Sequence, residues 1–316
     1  MAMEQAAIEV TGLAKHYGEV TALAGVGLRV GRGTVLAVLG HNGAGKTTLI
    51  DILSTRVKPS AGSAKVCGFD VVRAGHHVRR RIGVTGQFAA VDDALSGRGN
   101  LELVARLLGA NRRQAKARAA ELLAMFGLDD AADRPARTYS GGMRRRLDLA
   151  AGLVGSPDVL FLDEPTTGLD PVSRAGLWDG VERLAARGTT VVLTTQYLEE
   201  ADRLADHVIV LGLGHVTVSG RPSELKARLG ERTATLTFGT DLAARRALAA
   251  LHRLGMRCTT SAAGLVVGVA LSGPADITVL VRALDAAGAP MKDLTVAEPT
   301  LDDVYLSLHR NPAVPS

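Results

Sequence analysis

The sequence is poor in three features, and each shortage excludes a class of protein. Only two of its 316 residues are cysteine, and Cys67 and Cys258 have no metal-ligand spacing, so we expect reduced thiols in a cytoplasmic protein. Aromatic residues are 3% of the chain and do not interleave with its basic runs, which argues against a nucleic-acid partner. No apolar run reaches the roughly 18 residues that cross a bilayer, and residues 1–5 do not resemble a secretion signal. The sequence therefore predicts neither a secreted nor an integral membrane protein.

The positive charge of the chain is spread out rather than concentrated. The formal net charge is +5 and the pI is near 9.5, but the two runs of three arginines, at 79–81 and 144–146, are short. We interpret these runs as solvated or phosphate-facing helix surfaces, with membrane-surface contact as the second interpretation and nucleic acid as the least favoured. A hydrophobic share of 47% is ordinary for a soluble globular protein, and the length allows two domains.

The most specific motif present is the phosphate loop at residues 40–48, GHNGAGKTT, which fits the pattern G-x-x-x-x-G-K-[ST]. A strand-like apolar segment precedes it and a helical segment follows, which is the context that the motif requires. Its glycines let successive N–H groups converge on an anion, so we expect a triphosphate, with Lys46 on the β and γ phosphates and the Thr47 hydroxyl on Mg²⁺. The candidate ATP ligands of this loop are Gly40, Asn42, Gly43, Ala44, Gly45, Lys46, Thr47 and Thr48.

Two carboxylates follow a second apolar segment. Residues 158–162 predict a strand buried on both faces, and ligands gather at the carboxyl ends of such parallel strands. Because adjacent residues of a strand point in opposite directions, we expect Asp163 to assist Mg²⁺ and Glu164 to face the attacking water. A structural ion pair is the ordinary alternative for two such acids, but the upstream phosphate loop favours the metal and water roles.

A helical stretch, at about 88–155, interrupts the α/β pattern and contains a second candidate anion site. Ser140 is a good N-cap, and Gly141 and Gly142 leave N–H groups uncovered at the start of the next helix. Further on, Asp170 before a proline predicts another helix start.

Two other polar residues have open interpretations. Tyr17 precedes the phosphate loop and is equally consistent with stacking on a nucleobase and with half-buried packing. Gln87, after a short predicted strand, is able to orient water near the triphosphate, but a solvent-exposed loop glutamine is the more common case.

The pattern changes again beyond about residue 230, where no phosphate-binding motif recurs. The predicted order β-α-β-β-α-β indicates a small ferredoxin-like domain. We therefore predict two domains, at 1–229 and 230–316.

Taken in order, the phosphate loop, Gln87, the segment 139–144 (YSGGMR), the segment 158–165 (DVLFLDEP) and the segment 168–170 resemble an ATP-binding cassette (ABC) ATPase over about residues 8–220. The phrases TTQYLEEAD at 194–202 and EPTLDDVYL at 298–306 are similar to the daunorubicin and doxorubicin resistance group of drug-export ATPases. This resemblance implies a P-loop ATPase core with an antiparallel β subdomain and a helical subdomain.

The resemblance also implies roles for single residues. Tyr17 would stack on adenine, and Gln87 would bind Mg²⁺ and link it to the membrane partner. Ser140 and Gly142 would bind the γ phosphate of ATP held by a second copy, Asp170 would lie at the dimer seam, and Glu164 would be the general base. These statements predict a homodimer on the cytoplasmic face of the cell membrane, with ATP and Mg²⁺ as ligands.

Two positions depart from the family pattern. Gln196 replaces the usual histidine, and because glutamine hydrogen-bonds a phosphate but carries no proton, we expect slower or differently gated hydrolysis. Gly99 stands where the family usually has glutamate, near the expected contact with the membrane subunit.

The resemblance favours an exporter of a hydrophobic drug or antibiotic, powered by this ATPase through a separate membrane permease. The alternatives are an importer, an exporter of lipid or polysaccharide, and a soluble ABC regulator without a membrane partner.

Overall fold

The structure is a computed structural model that describes residues 6–86, 91–229, 232–261, 264–297 and 300–310. The chain divides into two compact units, Met1–Pro222 and Ser223–Ser316, which are described separately. The predicted domain boundary after residue 229 stays a prediction. Within the described ranges, no helix is both long enough and apolar enough to cross a membrane.

The first unit contains two sheets. Its strands are β1 (Ile8–Tyr17), β2 (Val20–Val30), β3 (Val35–Leu39), β4 (Ala61–Val66), β5 (Phe69–Asp70), β6 (Ile82–Thr85), β7 (Val159–Asp163), β8 (Thr190–Thr195), β9 (His207–Gly212) and β10 (His215–Gly220). One sheet has the order β2-β1-β4-β5 and is antiparallel; the other has the order β10-β9-β3-β8-β7-β6.

The second of these sheets is parallel except for its β9–β10 edge pair. Strands β3, β7 and β8 are buried at every residue, which explains the apolar run that each contains. The register pairs Leu39 with Thr195 and Asp163 with Thr194. The phosphate loop after β3 and the two carboxylates at the end of β7 therefore lie at the same edge of the sheet, on either side of the end of β8.

The described residues of the first unit form seven α-helices, and four of these helices begin at a side-chain cap. They are α1 (Lys46–Leu53), α2 (Gly75–Arg79), α3 (Gly97–Leu107), α4 (Arg112–Met125), α5 (Gly141–Gly152), α6 (Pro171–Ala186) and α7 (Leu198–Leu204), with α8 (Pro222–Leu229) at the unit boundary. Ser96, Asn111, Ser140 and Asp170 cap α3, α4, α5 and α6 by accepting a backbone N–H in the first turn. Helices α3 to α5 form the predicted helical stretch.

The second unit contains β11 (Arg232–Phe238), α9 (Asp241–Arg253), β12 (Cys258–Thr260), β13 (Val266–Leu271), α10 (Pro274–Ala286), β14 (Met291–Ala297) and α11 (Leu301–Arg310). Its sheet has the order β12-β13-β11-β14, and every neighbouring pair is antiparallel. Leu236, Phe238, Leu251, Val267 and Leu280 are among its buried residues, so this unit has an apolar core of its own.

Candidate functional site

The phosphate loop connects β3 to α1 and depends on glycine at two close approaches. A Cβ added to Gly40 would lie 2.6 Å from the carbonyl oxygen of Leu211, and one added to Gly45 would lie 2.4 Å from that of Ala22. Gly45 also has a φ of 102°, in the left-handed region that favours glycine. A side chain at either of these two positions would therefore displace the loop.

Lys46 is buried at the start of α1, only 5% exposed, with its ammonium group inside the loop. Its Nζ donates to the carbonyl oxygens of Gly40 (2.7 Å) and His41 (3.3 Å) and lies 3.4 Å from Oε1 of Glu164. A buried cation at the positive end of a helix dipole makes this loop an anion site.

Asp163 and Glu164 point to different partners, although Glu164 lies beyond the end of β7. The Asp163 carboxylate accepts from the hydroxyls of Thr47 (3.1 Å) and Thr194 (2.5 Å). Glu164, which has a φ of 47°, points to Lys46 instead, and its backbone N–H donates to the carbonyl and hydroxyl oxygens of Thr194. Thr194 of strand β8 thus holds both the side chain of Asp163 and the backbone of Glu164.

The hydroxyl of Thr47 and the carboxylate of Asp163 form a donor set that suits Mg²⁺. This ion commonly takes one or two protein oxygens and completes its coordination with water and substrate phosphates. Within the described residues, no cluster of three or more His, Cys, Asp or Glu side chains offers a competing metal site.

Two cavities meet at Glu164. The first, of about 220 Å³, is lined by residues 41–48 and Glu164. The second, of about 370 Å³, lies between the start of α5 and the segment after β7; its lining is Gly141, Arg144, Arg145, Asp148, Glu164, Thr167, Gly168 and Leu169. Glu164 therefore lines both the phosphate-loop cavity and the α5 cavity.

The predicted second anion site lies at the exposed start of α5. Ser140 accepts from the N–H of Met143 at 3.2 Å, and Gly141 is exposed. Gly142 is buried against α6, so closely that a Cβ added there would lie 2.1 Å from Oγ of Ser173. Asp170 caps α6 at the same place, and its hydrogen bonds with Ser173 lower the pKa of its carboxyl group.

The remaining predicted site residues are placed as follows. Gln196 directly follows β8 and is exposed at the same sheet edge as Asp163. Tyr17 ends β1 with 47% of its surface exposed, and Nζ of Lys15 lies 4.8 Å from its ring centroid. A ring that is about half exposed fits both interpretations, so stacking on a nucleobase stays a prediction. Gln87 lies outside the described residues.

Sequence reasoning missed three residues of this site: Thr194, Glu200 and Arg145. Thr194 and Glu200 lie in the phrase at 194–202, which indicated a family resemblance but assigned no role to either residue. The interpretation of the run at 144–146 as a solvated or phosphate-facing surface is wrong for Arg145, because its side chain is 17% exposed and donates to backbone carbonyls. The missed signal was helical spacing, since Gly142, Arg145 and Leu149 share one face of α5.

Comparison with known proteins agrees with this geometry. Residues 23–167 match the family model described as ABC transporter. The chain is 50% identical over 311 residues to the daunorubicin resistance ATP-binding protein DrrA3 of Streptomyces coeruleorubidus, covering 97% of this chain and 96% of that one. It is 44% identical over 323 residues to the doxorubicin resistance ATP-binding protein DrrA of Mycobacterium tuberculosis, covering 99% and 96%. The chain belongs to the ABC transporter ATP-binding protein family. The predicted resemblance and the predicted ABC-type ATPase activity are confirmed.

Solved structures support the same fold for the first unit. An ATP-binding subunit of an ABC transporter is 26% identical, with a TM-score of 0.63, over 71% of this chain and 93% of that one. A dimeric bacterial ABC transporter cassette is 25% identical, with a TM-score of 0.62, over 68% and 98%. The predicted α/β P-loop ATPase core of this family member is therefore confirmed.

Proposed function

We propose that this chain is the ATP-hydrolysing subunit of an exporter that carries a hydrophobic drug or antibiotic through a separate membrane permease. The observation that carries the proposal is the cluster of Lys46, Thr47, Asp163 and Glu164 around one cavity. The names of relatives that match almost the whole chain support the drug-export part, because they are daunorubicin and doxorubicin resistance proteins.

In this proposal each residue of the cluster has one task. Lys46 and the loop N–H groups bind the β and γ phosphates, and Thr47 and Asp163 hold Mg²⁺, which supplies charge neutralisation to the transferred phosphoryl group. Glu164 takes a proton from the attacking water as general base. Gln196 hydrogen-bonds the γ phosphate, and Tyr17 stacks on the adenine ring. Gln87 is proposed as a further Mg²⁺ contact from the sequence resemblance alone.

We propose that two copies close head to tail over two ATP molecules. Each copy has one phosphate loop and one α5 start, so a two-fold dimer is the arrangement that surrounds both nucleotides with both elements. Ser140, Gly141 and Gly142 then bind the γ phosphate held by the other copy, and Asp170 lies at the seam. The similarity to a dimeric cassette supports this arrangement.

The permease and the membrane location are proposed on the same basis. We expect the chain to be peripheral, on the cytoplasmic face of the cell membrane, bound to a separate integral membrane subunit and to no nucleic acid. A second candidate is export of a lipid or polysaccharide, since the chain is also 40% identical, over 77% of its length, to the Nod factor export ATP-binding protein I of Ralstonia nicotianae. A soluble regulator is less favoured because only one phosphate loop occurs in the chain.

For the remainder of the chain, 230–316, we propose a ferredoxin-like domain that regulates or contacts the dimer. Its strand order β12-β13-β11-β14 within a β-α-β-β-α-β sequence supports that architecture. Deletion of these residues is expected to alter dimerisation or ATPase activity.

The proposal is tested with Glu164→Gln and Lys46→Ala. We expect Glu164→Gln to bind ATP, to hydrolyse it about 10²–10⁴-fold more slowly, and to accumulate as an ATP-dependent dimer in size-exclusion chromatography. Lys46→Ala is expected to lose affinity for ATP in a fluorescent nucleotide titration, because the ammonium group of Lys46 is the cation inside the loop.

Affinity purification from native membranes then tests the transport role. A co-purifying permease, with drug efflux lost in the Glu164→Gln strain, supports the exporter. A chain that stays monomeric with ATP even as Glu164→Gln, and that co-purifies with no membrane protein, contradicts it.

A further inference from the structure

Arg145 makes a set of contacts that its neighbours in the arginine run do not make. Its guanidinium donates from Nε to the carbonyl of Pro165 (2.8 Å), from Nη1 to that of Gly86 (2.8 Å), and from Nη2 to those of Asp163 (3.2 Å) and Glu164 (3.3 Å). One side chain of helix α5 thus bonds three consecutive carbonyls at the end of β7 and one just after β6.

Arginine is suited to this place because its planar guanidinium has five donors in fixed directions. Three of the four carbonyls it bonds belong to the turn that carries both site carboxylates. Lysine would bring a single ammonium group, which cannot bond so many fixed oxygens at once. The contact therefore requires the fork of donors as well as the positive charge.

The backbone that Arg145 holds is not in a relaxed conformation. Glu164 has a positive φ of 47°, and such a conformation in a residue other than glycine is strained and persists only when its surroundings hold it. Thr194 bonds the N–H of Glu164 from one side, and Arg145 bonds its carbonyl from the other. The direction of the Glu164 carboxylate depends on both.

The surroundings of Arg145 also balance its charge. Asp148, one turn further along α5, lies 3.3 Å from Nη1 and is almost fully buried. Burial lowers the pKa of Arg145, whereas Asp148, Asp163 and Glu200 raise it. A guanidinium remains charged under these conditions, so the buried cation has its anionic partners within the same unit.

We propose that Arg145 is a positioning residue for ATP hydrolysis: it fixes the backbone of Glu164 and links it to helix α5. This inference rests on the proposed role of Glu164 as general base. Because Ser140 caps the same helix five residues earlier, a nucleotide bound by the partner copy at that end would act on Glu164 through Arg145.

The test is a double-mutant cycle with Arg145→Gln and Glu164→Gln in the full chain, measuring kcat and KM for ATP. Arg145→Gln is expected to lower kcat on the order of ten- to a hundredfold, because a misplaced catalytic group loses rate steeply, and to leave KM nearly unchanged. In the Glu164→Gln chain the same substitution is expected to have little further effect. Arg145→Lys keeps the charge beside Asp148 but is expected to stay slow.

The matched control is Arg118→Gln. Arg118 also donates to carbonyls of the same helical region, those of Leu153 (2.6 Å) and Val154 (3.3 Å), but after the other end of α5. It is expected to lower the melting temperature and not kcat. Circular dichroism verifies that each variant is folded, and if Arg145→Gln is not, Arg145→Lys replaces it in the cycle.

The outcomes separate this inference from the proposed function. If Glu164→Gln hydrolyses ATP at the parental rate, the role of Glu164 fails whatever Arg145 does. If Glu164→Gln is slow, any of three results overturns the inference on Arg145. Arg145→Gln hydrolyses ATP at the parental rate, or Arg145→Gln slows the parent chain and the Glu164→Gln chain by the same factor, or Arg145→Lys is fully active.

Discussion

The two units of the chain differ in what they bury. Of the residues whose burial the structure describes, every buried charged or strongly polar side chain lies in the first unit; these are Lys46, Ser54, Thr85, Asn100, Asp148, Asp163, Thr166, Thr190, Thr194, Thr195 and Glu200. The buried core of the second unit consists of alanine, valine, leucine and phenylalanine. A buried polar group costs free energy unless it is paired.

The two units therefore differ in the kind of side-chain interaction on which their stability depends. In the first unit the buried charges of Lys46 and Asp163 lie near the carboxyl ends of β3 and β7. Glu164 is the partner of Lys46, and the hydroxyls of Thr47 and Thr194 are the partners of Asp163. The second unit has no comparable cluster among its described residues. We therefore expect the first unit to respond to nucleotide, side-chain polarity and pH, and the second to respond mainly to lost apolar volume.

The largest expected change in stability comes from Phe238→Ala in the second unit. Phe238 is 2% exposed within the apolar core of that unit, and removing a buried aromatic ring costs about 3–5 kcal/mol of the free energy of unfolding. Calorimetry with and without ATP measures it, because bound ATP raises the transition of the first unit. Phe238→Ala is expected to lower the other transition and to leave ATP affinity unchanged.

The control for Phe238→Ala is Leu242→Ala, whose side chain is 61% exposed in the same unit. An exposed truncation is expected to change the free energy of unfolding by no more than about 0.5 kcal/mol. If Phe238→Ala instead lowered the transition that ATP raises, the two units would not differ as described.

A smaller effect is expected from Thr194→Val, which conserves shape and removes one hydroxyl. That hydroxyl donates to Asp163 and accepts from the N–H of Glu164, so its loss leaves a buried carboxylate with one partner fewer. We expect a loss of about 1–3 kcal/mol in the stability of the first unit, measured by urea unfolding, together with slower ATP hydrolysis.

The same change in the second unit, Thr235→Val, is the matched control. Thr235 lies on β11 on the face opposite the buried Ala234 and Leu236, and we expect a change within about 0.5 kcal/mol. Equal losses in the two variants would show that the hydroxyl of Thr194 has no special partner.

Much of the site was predictable because its residues are adjacent in sequence. Lys46 and Thr47 belong to one loop, and Asp163 and Glu164 end one strand, so local spacing was enough to assign their chemistry. The division into an α/β part, a helical stretch and a β-α-β-β-α-β segment also followed from hydrophobic periodicity. These features depend on short-range patterns.

The residues that sequence reasoning missed depend on long-range contacts. Thr194 reaches Asp163 only because β7 and β8 are neighbours, and strand order is not visible in either strand alone. The arginine runs at 79–81 and 144–146 read alike, yet the first is exposed and Arg145 is mostly buried. A run of like charges does not indicate which member faces the core, because that depends on what packs against the helix.

The smallest expected effect concerns the pH dependence of the first unit through Glu200. Its carboxyl group is fully buried and accepts from Thr166 Oγ1 (3.2 Å) and Trp178 Nε1 (3.1 Å). Burial raises the pKa of Glu200 above its ordinary 4.5, although Arg174 opposes the shift. The folded chain thus binds the proton of Glu200 more tightly than the unfolded chain does. The resulting contribution to the free energy of unfolding is complete below pH 4.5 and is lost as pH rises through the pKa of the folded state.

Glu200→Gln removes that proton equilibrium while keeping the shape of the side chain. We expect the stability of Glu200→Gln relative to the parent chain to increase with pH above about 4.5, by no more than about 1.4 kcal/mol per pH unit, since one proton is involved. Urea unfolding across pH measures this slope, and a constant offset from altered hydrogen bonds does not affect it. Parallel curves for Glu200→Gln and the parent would mean that burial does not disfavour this charge, and the contrast between the two units would then not extend to pH.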